Sequence, residues 1–191
     1  MVFFNPVYKQ VCFEPDEEGR PAGRYIDSQP GFVYMGEGRV QISLYAPGAL
    51  RAEVDVFDCG RISLQKDQKQ PGYWCGVMED VEPGFHYVTF SVNGTKVLNT
   101  QAPVGYGCFQ SINYLDVPDL VFDYHELRNV PHGQIHMDYY TSSQTGRIKL
   151  CYVYTPPGYD ALDGKKYPVL YLQNGGGENE IGWLRQGKIA N

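Results

Sequence analysis

The chain has 191 residues, and its 16 Lys and Arg against 22 Asp and Glu give a formal net charge of −6 at pH 7 and a pI of about 5.2. This acidic balance disfavours nucleic acid as a partner, because phosphate binding requires a basic surface. With 42% hydrophobic and 20% charged residues the composition is that of a globular protein that buries a core. No segment contains the roughly 18 consecutive apolar residues of a membrane helix, so no membrane association is expected.

The N-terminus and the cysteines bear on where the protein resides. Residues 1–6 lack a basic region, and their apolar run stops at Asn5, so we expect a protein that is cytoplasmic, or secreted with a signal peptide absent from this sequence. The cysteines are odd in number and contain no C-x-x-C pair, which favours reduced, mostly buried thiols over disulfides or metal ligands. They are Cys12, Cys59, Cys75, Cys108 and Cys151.

Residues 1–37 are rich in turn-forming residues and are predicted to be an N-terminal extension. Beyond them, apolar and polar residues alternate, as they do in half-buried strands. Asn93-Gly94 predicts a two-residue hairpin, because both positions of a type I′ turn need a positive φ. Short strands at this spacing, with no helical period between them, predict an antiparallel β-sandwich over residues 38–125. The predicted strands are 40–46, 52–58, 61–64, 73–78, 85–92 and 96–99.

Residues 126–191 show a different pattern. Alternation predicts strands near 135–140 and 148–155, whereas the continuously apolar segment 167–172 predicts a strand covered on both faces, as in a parallel sheet. A glycine run follows, and residues 180–184 resemble the start of a helix. A sheet with helices on both faces needs on the order of 150 residues. We therefore expect this second domain to be truncated.

Three motifs in this region carry a resemblance to a known family: residues 152–160, residues 166–172, and Asn174-Gly175-Gly176-Gly177 followed by Trp183. In order and spacing they resemble the opening of the α/β-hydrolase branch that contains carbohydrate esterase family 1, with feruloyl and acetylxylan esterases, and the enterochelin esterases. Residues 38–117 more loosely resemble the early-set module related to carbohydrate-binding module family 48. The resemblance implies a mainly β chain, with an immunoglobulin-like early-set sandwich followed by the truncated start of an α/β-hydrolase domain.

The resemblance also implies a chemistry. In such hydrolases the Ser of a G-x-S-x-G elbow attacks the ester, His transfers the proton and backbone N–H groups hold the oxyanion. This sequence contains no G-x-S-x-G, so it is expected to hold no catalytic triad and to be inactive alone. Gly175 and Gly176 match the family's oxyanion loop, with Asn174 where a His usually stands; a glycine-rich turn without a chemical role is the competing interpretation. Trp183, Asn174 and Tyr106 are the candidate substrate-binding residues, and no metal or cofactor is expected.

Three functions remain open. The first is the N-terminal portion of an ester hydrolase that acts on esterified plant polysaccharide. The second is a stand-alone carbohydrate-binding or interaction module, and the third is a fragment of a siderophore esterase. The expected partners are a carbohydrate or carbohydrate ester, and a second copy of the chain that associates through the C-terminal segment. Of the aromatic residues that could stack on sugars, Trp74 is predicted to lie in the core, and Tyr106, Phe109 and Tyr114 to pack between domains.

Overall fold

The computed structural model describes residues 10–15, 21–26, 29–122 and 126–191, the first two ranges by their backbone alone. In these ranges the protein is mainly β, with one π-helical turn at Gly182–Gln186, and no helix there is long and apolar enough to cross a membrane. The strands are β1 Gln10–Pro15, β2 Pro21–Ile26, β3 Phe32–Gly36, β4 Arg39–Tyr45, β5 Ala52–Val56, β6 Gly60–Lys66, β7 Tyr73–Met78, β8 Gly84–Val92, β9 Thr95–Val97, β10 Val104–Gly107, β11 Gln110–Val117, β12 Gln134–Thr141 and β13 Ile148–Thr155.

The chain divides into two compact units. The first unit comprises residues 1–104 and 112–118, and the second comprises residues 105–111 and 119–191.

One antiparallel sheet holds most of the strands, in the order β10-β11-β8-β5-β6-β7-β4-β3, with β9 beside β8. Strand β6 pairs with β5 over residues 60–64 and with β7 through Gln65 and Lys66. Because its two halves have different partners, β6 turns a corner and the sheet curls around its inner face. The mainly β, antiparallel character predicted from the sequence is therefore confirmed.

The core lies on the inner face of this curled sheet. Apolar residues at alternate positions point to the same side of a strand, and those of β5 and β8, such as Val54, Val56 and Phe90, are fully buried. The ring of Phe90 stacks on that of Phe32 at 5.9 Å. All six strands predicted in this region are present, with ends that differ by at most two residues. Trp74 is buried as predicted, and its Nε1 donates to the carbonyl of Ala46 at 2.9 Å.

The predicted hairpin is also confirmed. Asn93 and Gly94 both have a positive φ, of 52° and 87°, and Val92 pairs with Thr95 across the two-residue turn. The Oδ1 of Asn93 accepts hydrogen bonds from the backbone N–H groups of Leu50 and Arg51, at 2.8 and 3.1 Å. The turn therefore also ties β8 and β9 to the loop before β5.

Several strands were not predicted from the sequence. Strands β1, β2 and β3 lie in residues 1–37, where turn-forming residues had indicated loops, and β3 pairs with β4 from Phe32↔Ile42 onwards. Residues 1–9, 16–20 and 27–28 of this extension lie outside the described ranges. Strands β10 and β11 were also missed, because the glycines of β10 and the polar side chains of β11 interrupt the apolar alternation.

In the second unit, β12 and β13 confirm the two predicted strands and pair along their whole length, from Gln134↔Thr155 to Thr141↔Ile148. The predicted strand at residues 167–172 is wrong. This segment has no strand assignment, and Val169, Leu170 and Tyr171 are 70%, 77% and 89% exposed. A strand forms only where a partner supplies backbone hydrogen bonds, and none of the described strands pairs with this segment.

The cysteines are only partly as predicted. The four whose side chains are described are free, but none is buried, so the expectation of mostly buried thiols is wrong for them. Cys59 and Cys108 lie in turns after β5 and β10; Cys59 is half-buried against the core, and Cys108 is exposed. Cys75 and Cys151 lie within strands and are half-buried.

Candidate functional site

A glycine turn follows the apolar segment 167–172. The N–H of Glu178 donates to the carbonyl of Gly175 at 3.2 Å, which closes a four-residue turn whose third residue, Gly177, has a φ of +86°. Type II turns require a positive φ at this position, which glycine adopts without a steric penalty. A Cβ on Gly177 would lie 3.2 Å from the Cα of Cys108. Glycine is therefore required here both by backbone conformation and by space.

The same turn is attached to residues 108–109 of the second unit. The carbonyl of Gly177 accepts a hydrogen bond from the backbone N–H of Phe109 at 2.8 Å. Gly177 is buried by this contact, whereas Gly175 and Gly176 are exposed. The turn thus has a fixed base and an accessible outer edge.

At the accessible edge, a backbone N–H group donates a hydrogen bond to a carboxylate oxygen. The N–H of Gly175 donates to the Oε2 of Glu178 at 3.3 Å, and a Cβ on Gly176 would meet nothing within 4 Å. An exposed main-chain N–H beside open space is the element from which an oxyanion hole is built, provided that the geometry is fixed in advance. In this chain the Glu178 carboxyl group occupies that donor.

Asn174 and Trp183 lie beside this edge. The Nδ2 of Asn174 donates to the carbonyl of Gly175 at 3.2 Å, so Asn174 braces the first residue of the turn. The Nε1 of Trp183 donates to the carbonyl of Gln173 at 3.1 Å, and its side chain is 43% exposed. The structure therefore brings Asn174, Gly175 and Trp183 to one loop.

Tyr106 joins the same unit through its backbone. Its N–H donates to the Oε1 of Gln186 at 2.9 Å, which is the last residue of the π-helical turn that carries Trp183. Residues 105–109 are therefore held by two hydrogen bonds, one from Tyr106 to the π-helical turn and one from Phe109 to the glycine turn. The hydrogen bond of Tyr106 comes from its backbone and indicates no binding role for its ring.

This loop lacks several of the groups that ester hydrolysis requires. The sequence holds no G-x-S-x-G, and no group of three His, Cys, Asp or Glu able to hold a metal ion occurs in the described part of the chain. Ester hydrolysis at this loop would also require a nucleophile and a base, which its residues do not supply.

Two side chains with shifted pKa values lie near the turn between β6 and β7. The pKa of Asp67 is lowered, first by the hydrogen bond from the backbone N–H of Lys69, which reaches its Oδ1 at 2.8 Å. Burial raises the pKa of the Cys75 thiol, whose Sγ donates to the Oδ2 of Asp67 at 3.6 Å. This hydrogen bond joins the residue after β6 to β7.

A second candidate surface lies on the outer face of the curled sheet, in the first unit. We name it the aromatic row and define it as Phe57, Phe85, Tyr87 and Tyr114. Tyr87 and Tyr114 are direct partners across β8 and β11. The N–H of Phe57 donates to the carbonyl of Tyr87 at 2.9 Å, which places Phe57 at the same level just beyond β5.

A curated relative is similar to this chain over most of its length. It is an endo-1,4-beta-xylanase/feruloyl esterase of Xylanibacter ruminicola (strain ATCC 19189 / DSM 19721 / CIP 105475 / JCM 8958 / 23), 36% identical over 174 residues. The match covers 85% of this chain and 24% of the relative, so the chain spans about a quarter of that protein. Because neither unit alone makes up 85% of the chain, the match includes residues of both.

No protein-family model matches the sequence. Among solved structures, a product complex of the multi-modular glycogen-degrading pneumococcal virulence factor SpuA covers 58% of this chain and 14% of its own, at 18% identity and a TM-score of 0.39. The apo pullulanase of Paenibacillus barengoltzii covers 48% of this chain and 15% of its own, at 19% identity and a TM-score of 0.37. TM-scores this low support no inference about fold or function.

The two candidate sites differ in how far the sequence reveals them. The glycine loop was proposed from the sequence because its motif follows an apolar segment at a specific spacing. The aromatic row was missed, although Phe85 and Tyr87 are two residues apart in a correctly predicted strand and so must share a face. The missing information was the register, because only pairing shows that Tyr114 and Phe57 lie beside them.

Proposed function

We propose that this chain is the N-terminal portion of a serine carboxylic-ester hydrolase that acts on esterified plant polysaccharide, such as a feruloyl or acetylxylan esterase. The xylanase/feruloyl esterase name of the relative supports a polysaccharide-related function. The chain spans about a quarter of that relative, so in this proposal the activity would belong to a longer protein.

One observation carries the proposal: the exposed N–H of Gly175 donates to a carboxyl oxygen. In the proposed reaction the carbonyl oxygen of the ester gains negative charge as the nucleophile attacks, and an N–H at this position would stabilise it. The Glu178 carboxyl group stands in for that oxygen here, and the substrate would displace it. Asn174 would hold the turn in shape, and Trp183 would offer an aromatic surface to the acyl group or to a sugar.

The proposal also assigns a different type of domain to each of two parts of the chain. The curled sheet would be an early-set, immunoglobulin-like sandwich related to carbohydrate-binding module family 48. Residues 126–191 would be the first strands and the oxyanion loop of an α/β-hydrolase domain. The exposure of Val169, Leu170 and Tyr171 supports this proposal, because such residues are normally covered by neighbouring strands and helices.

The first test measures hydrolysis of methyl ferulate and 4-nitrophenyl acetate by the 191-residue chain. We expect no turnover above background, since a site without its triad retains only the modest contribution of binding and oxyanion donors. Turnover that copurifies with the chain and disappears on mutation of one of its residues would contradict this.

The second test uses the protein encoded by the complete reading frame. Gly175→Pro removes the N–H and should lower kcat for methyl ferulate by about 10²–10³-fold, as loss of an oxyanion donor does elsewhere. Gly176→Ala is the matched control, because a Cβ there meets no neighbour and the N–H is kept. Equal activity of the two variants would remove the oxyanion role.

The alternative function is a stand-alone carbohydrate-binding or interaction module. The closed core of the first unit and the aromatic row on its surface favour it. The reading frame separates the two proposals, because a downstream G-x-S-x-G is required by the esterase, and a frame without one favours the module. A siderophore esterase remains a variant of the first proposal, distinguished by hydrolysis of enterobactin in place of methyl ferulate.

A further inference from the structure

The aromatic row stands on a rigid part of the molecule. Its residues alternate with Val56, Val88, Phe90 and Leu115, which point to the opposite face and are buried in the core. Three of its rings therefore lie on the outer face of the paired strands β8 and β11, and Phe57 lies in the turn after β5, held to β8 by its backbone N–H. A surface on paired strands keeps its shape when a ligand binds, which lowers the entropic cost of binding.

The rings of the row hold one another in place. Phe85 stacks on Tyr114 with ring centroids 5.1 Å apart and planes 28° apart, and it meets Tyr87 edge-on at 4.9 Å. These three rings are half-buried, so their conformations are largely fixed before binding. Phe57 continues the row beyond Tyr87 and is 61% exposed. It supplies the accessible ring face.

Polar groups border the rings on the same face. Asp116 lies opposite Phe85, and Thr89 follows Tyr87 two residues along β8, opposite Asp55. Asp55 is bonded to Arg61, with the Nη2 of Arg61 2.8 Å from its Oδ2, so this pair adds no net charge. Aromatic faces flanked by hydroxyl, carboxyl and guanidinium groups match a pyranose, which has apolar C–H faces and a rim of hydroxyl groups.

The negative charge of the protein favours neutral polysaccharides over anionic ones. The chain carries a net charge of −6, and the carboxyl groups of Asp55 and Asp116 lie on the same face as the row. A polyanion such as a uronic-acid polymer would be repelled, whereas a neutral chain would not. The spacing of neighbouring strands, roughly 4.8 Å, is also close to the length of one sugar unit in an extended chain.

We propose that the aromatic row is a binding surface for a neutral, extended polysaccharide of β-1,4-linked pyranoses, which lies across β5, β8 and β11 with one sugar face on Phe57. The inference rests on the proposed function for its ligand class. It places the binding site in the first unit, whereas the glycine loop belongs to the second. The row would hold the polymer while the reaction takes place elsewhere in the longer protein.

The experiment is affinity electrophoresis of the 191-residue chain in gels that contain neutral soluble arabinoxylan, glycogen or polygalacturonate. We expect retardation by arabinoxylan, and at least a tenfold weaker apparent affinity for Phe57→Ala. The matched control is Phe109→Ala, which removes a ring that is 80% exposed outside the row and should leave retardation unchanged. Phe57 is exposed, so its variant should fold, and the thermal transition checks this.

A second variant pair tests which part of the row acts. Tyr87→Phe keeps the ring and should retain most of the affinity, whereas Tyr87→Ala should lose it. No retardation by arabinoxylan, equal retardation of the chain and its Phe57→Ala variant, or preferential retardation by polygalacturonate would each overturn the proposal. Absence of polysaccharide binding would instead leave the row as a surface for a protein partner.

The two proposals fail in different ways. In the longer protein, Phe57→Ala should leave hydrolysis of the small ester methyl ferulate unchanged and slow release of ferulate from feruloylated arabinoxylan. If both substrates are cleaved at the normal rate, the row is not a polymer-binding surface and the esterase proposal stands. If the longer protein cleaves neither substrate, the esterase proposal fails, while retardation of this chain still decides the binding surface.

Discussion

The two units differ in how completely they bury their apolar side chains. In the first unit the sheet curls, and residues such as Val54, Val88 and Phe90 are removed from water almost entirely. In the second unit all eight residues of β12 are exposed, and the apolar segment 167–172 has no strand partner among the described residues. The first unit therefore has the features of an independently stable fold.

The contrast shows what an apolar sequence pattern predicts. Alternation in the first unit is matched by partners that lie in the same unit, so the predicted strands form. The apolar segment 167–172 predicts burial equally strongly, but burial needs covering elements. At about 25 cal/mol per Å², several exposed side chains of this size forgo several kcal/mol. Such a surface favours association with another chain.

The largest expected effect comes from the core of the first unit. Phe90→Ala should lower the free energy of unfolding by about 3–5 kcal/mol, because it removes a fully buried ring and leaves a cavity. The matched variant Tyr171→Ala truncates an exposed ring in the second unit and should change the main transition by less than about 0.5 kcal/mol. Denaturant unfolding measures both. Equal effects would erase the distinction between the units.

Glycines with a positive φ sharpen the comparison. Gly94→Val in the β8–β9 hairpin should destabilise the first unit by about 1 kcal/mol or more, since a β-branched residue is strained at a φ of 87°. Gly146 has a φ of 65° in the turn between β12 and β13, and Gly146→Val should leave the main transition in place. An unchanged denaturant midpoint for Gly94→Val would remove the hairpin from the cooperative unit.

The exposed apolar segment gives a prediction about association. Val169→Asp should reduce self-association of the 191-residue chain, because it places a charge in a segment that can pair with another chain. Ser143→Asp adds the same charge at an exposed polar position of the second unit and is the control. Light scattering over a range of concentrations measures the result. A monomeric protein, or identical behaviour of the two variants, would contradict it.

The smallest effect is a dependence of stability on pH. The lowered pKa of Asp67, caused first by the Lys69 N–H, means that the folded protein binds the proton less readily than the unfolded chain. The resulting stabilisation is present above the unfolded pKa, near 3.8, and is lost as the pH falls through the lower folded value. Asp67→Asn should therefore be less stable than the original chain at pH 7 and differ from it less at pH 3. A difference that grows on acidification would contradict the assignment.

Sequence patterns predicted the strands and the hairpin that depend only on residues close together in the chain. Period-two alternation located β4, β5, β7 and β8, and Asn93-Gly94 fixed one hairpin. The curl of the sheet could not be predicted, because it depends on β6 changing partners between Leu64 and Gln65. This is a choice between distant strands that leaves no mark in the alternation of β6 itself.

The glycine loop and the aromatic row also differ in whether they depend on neighbouring or on distant residues. The glycine loop is a local motif, and the turn at Gly175–Glu178 needs only four adjacent residues. The hydrogen bond from Gly175 to Glu178 was not predicted, because sequence does not show where a carboxyl side chain turns. The aromatic row combines residues 57, 85, 87 and 114, which only the strand register brings together.

Hydrogen exchange on the 191-residue chain tests the difference between the units most directly. The account predicts strong protection of the amides of β4, β5 and β8, and fast exchange in residues 167–172 of the monomer, because the first unit has its own core and this segment has no strand partner. Strong protection of residues 169–172 in a monomer, retained after the second unit is separated from the first, would contradict it. That result would show that residues 126–191 form a complete domain by themselves.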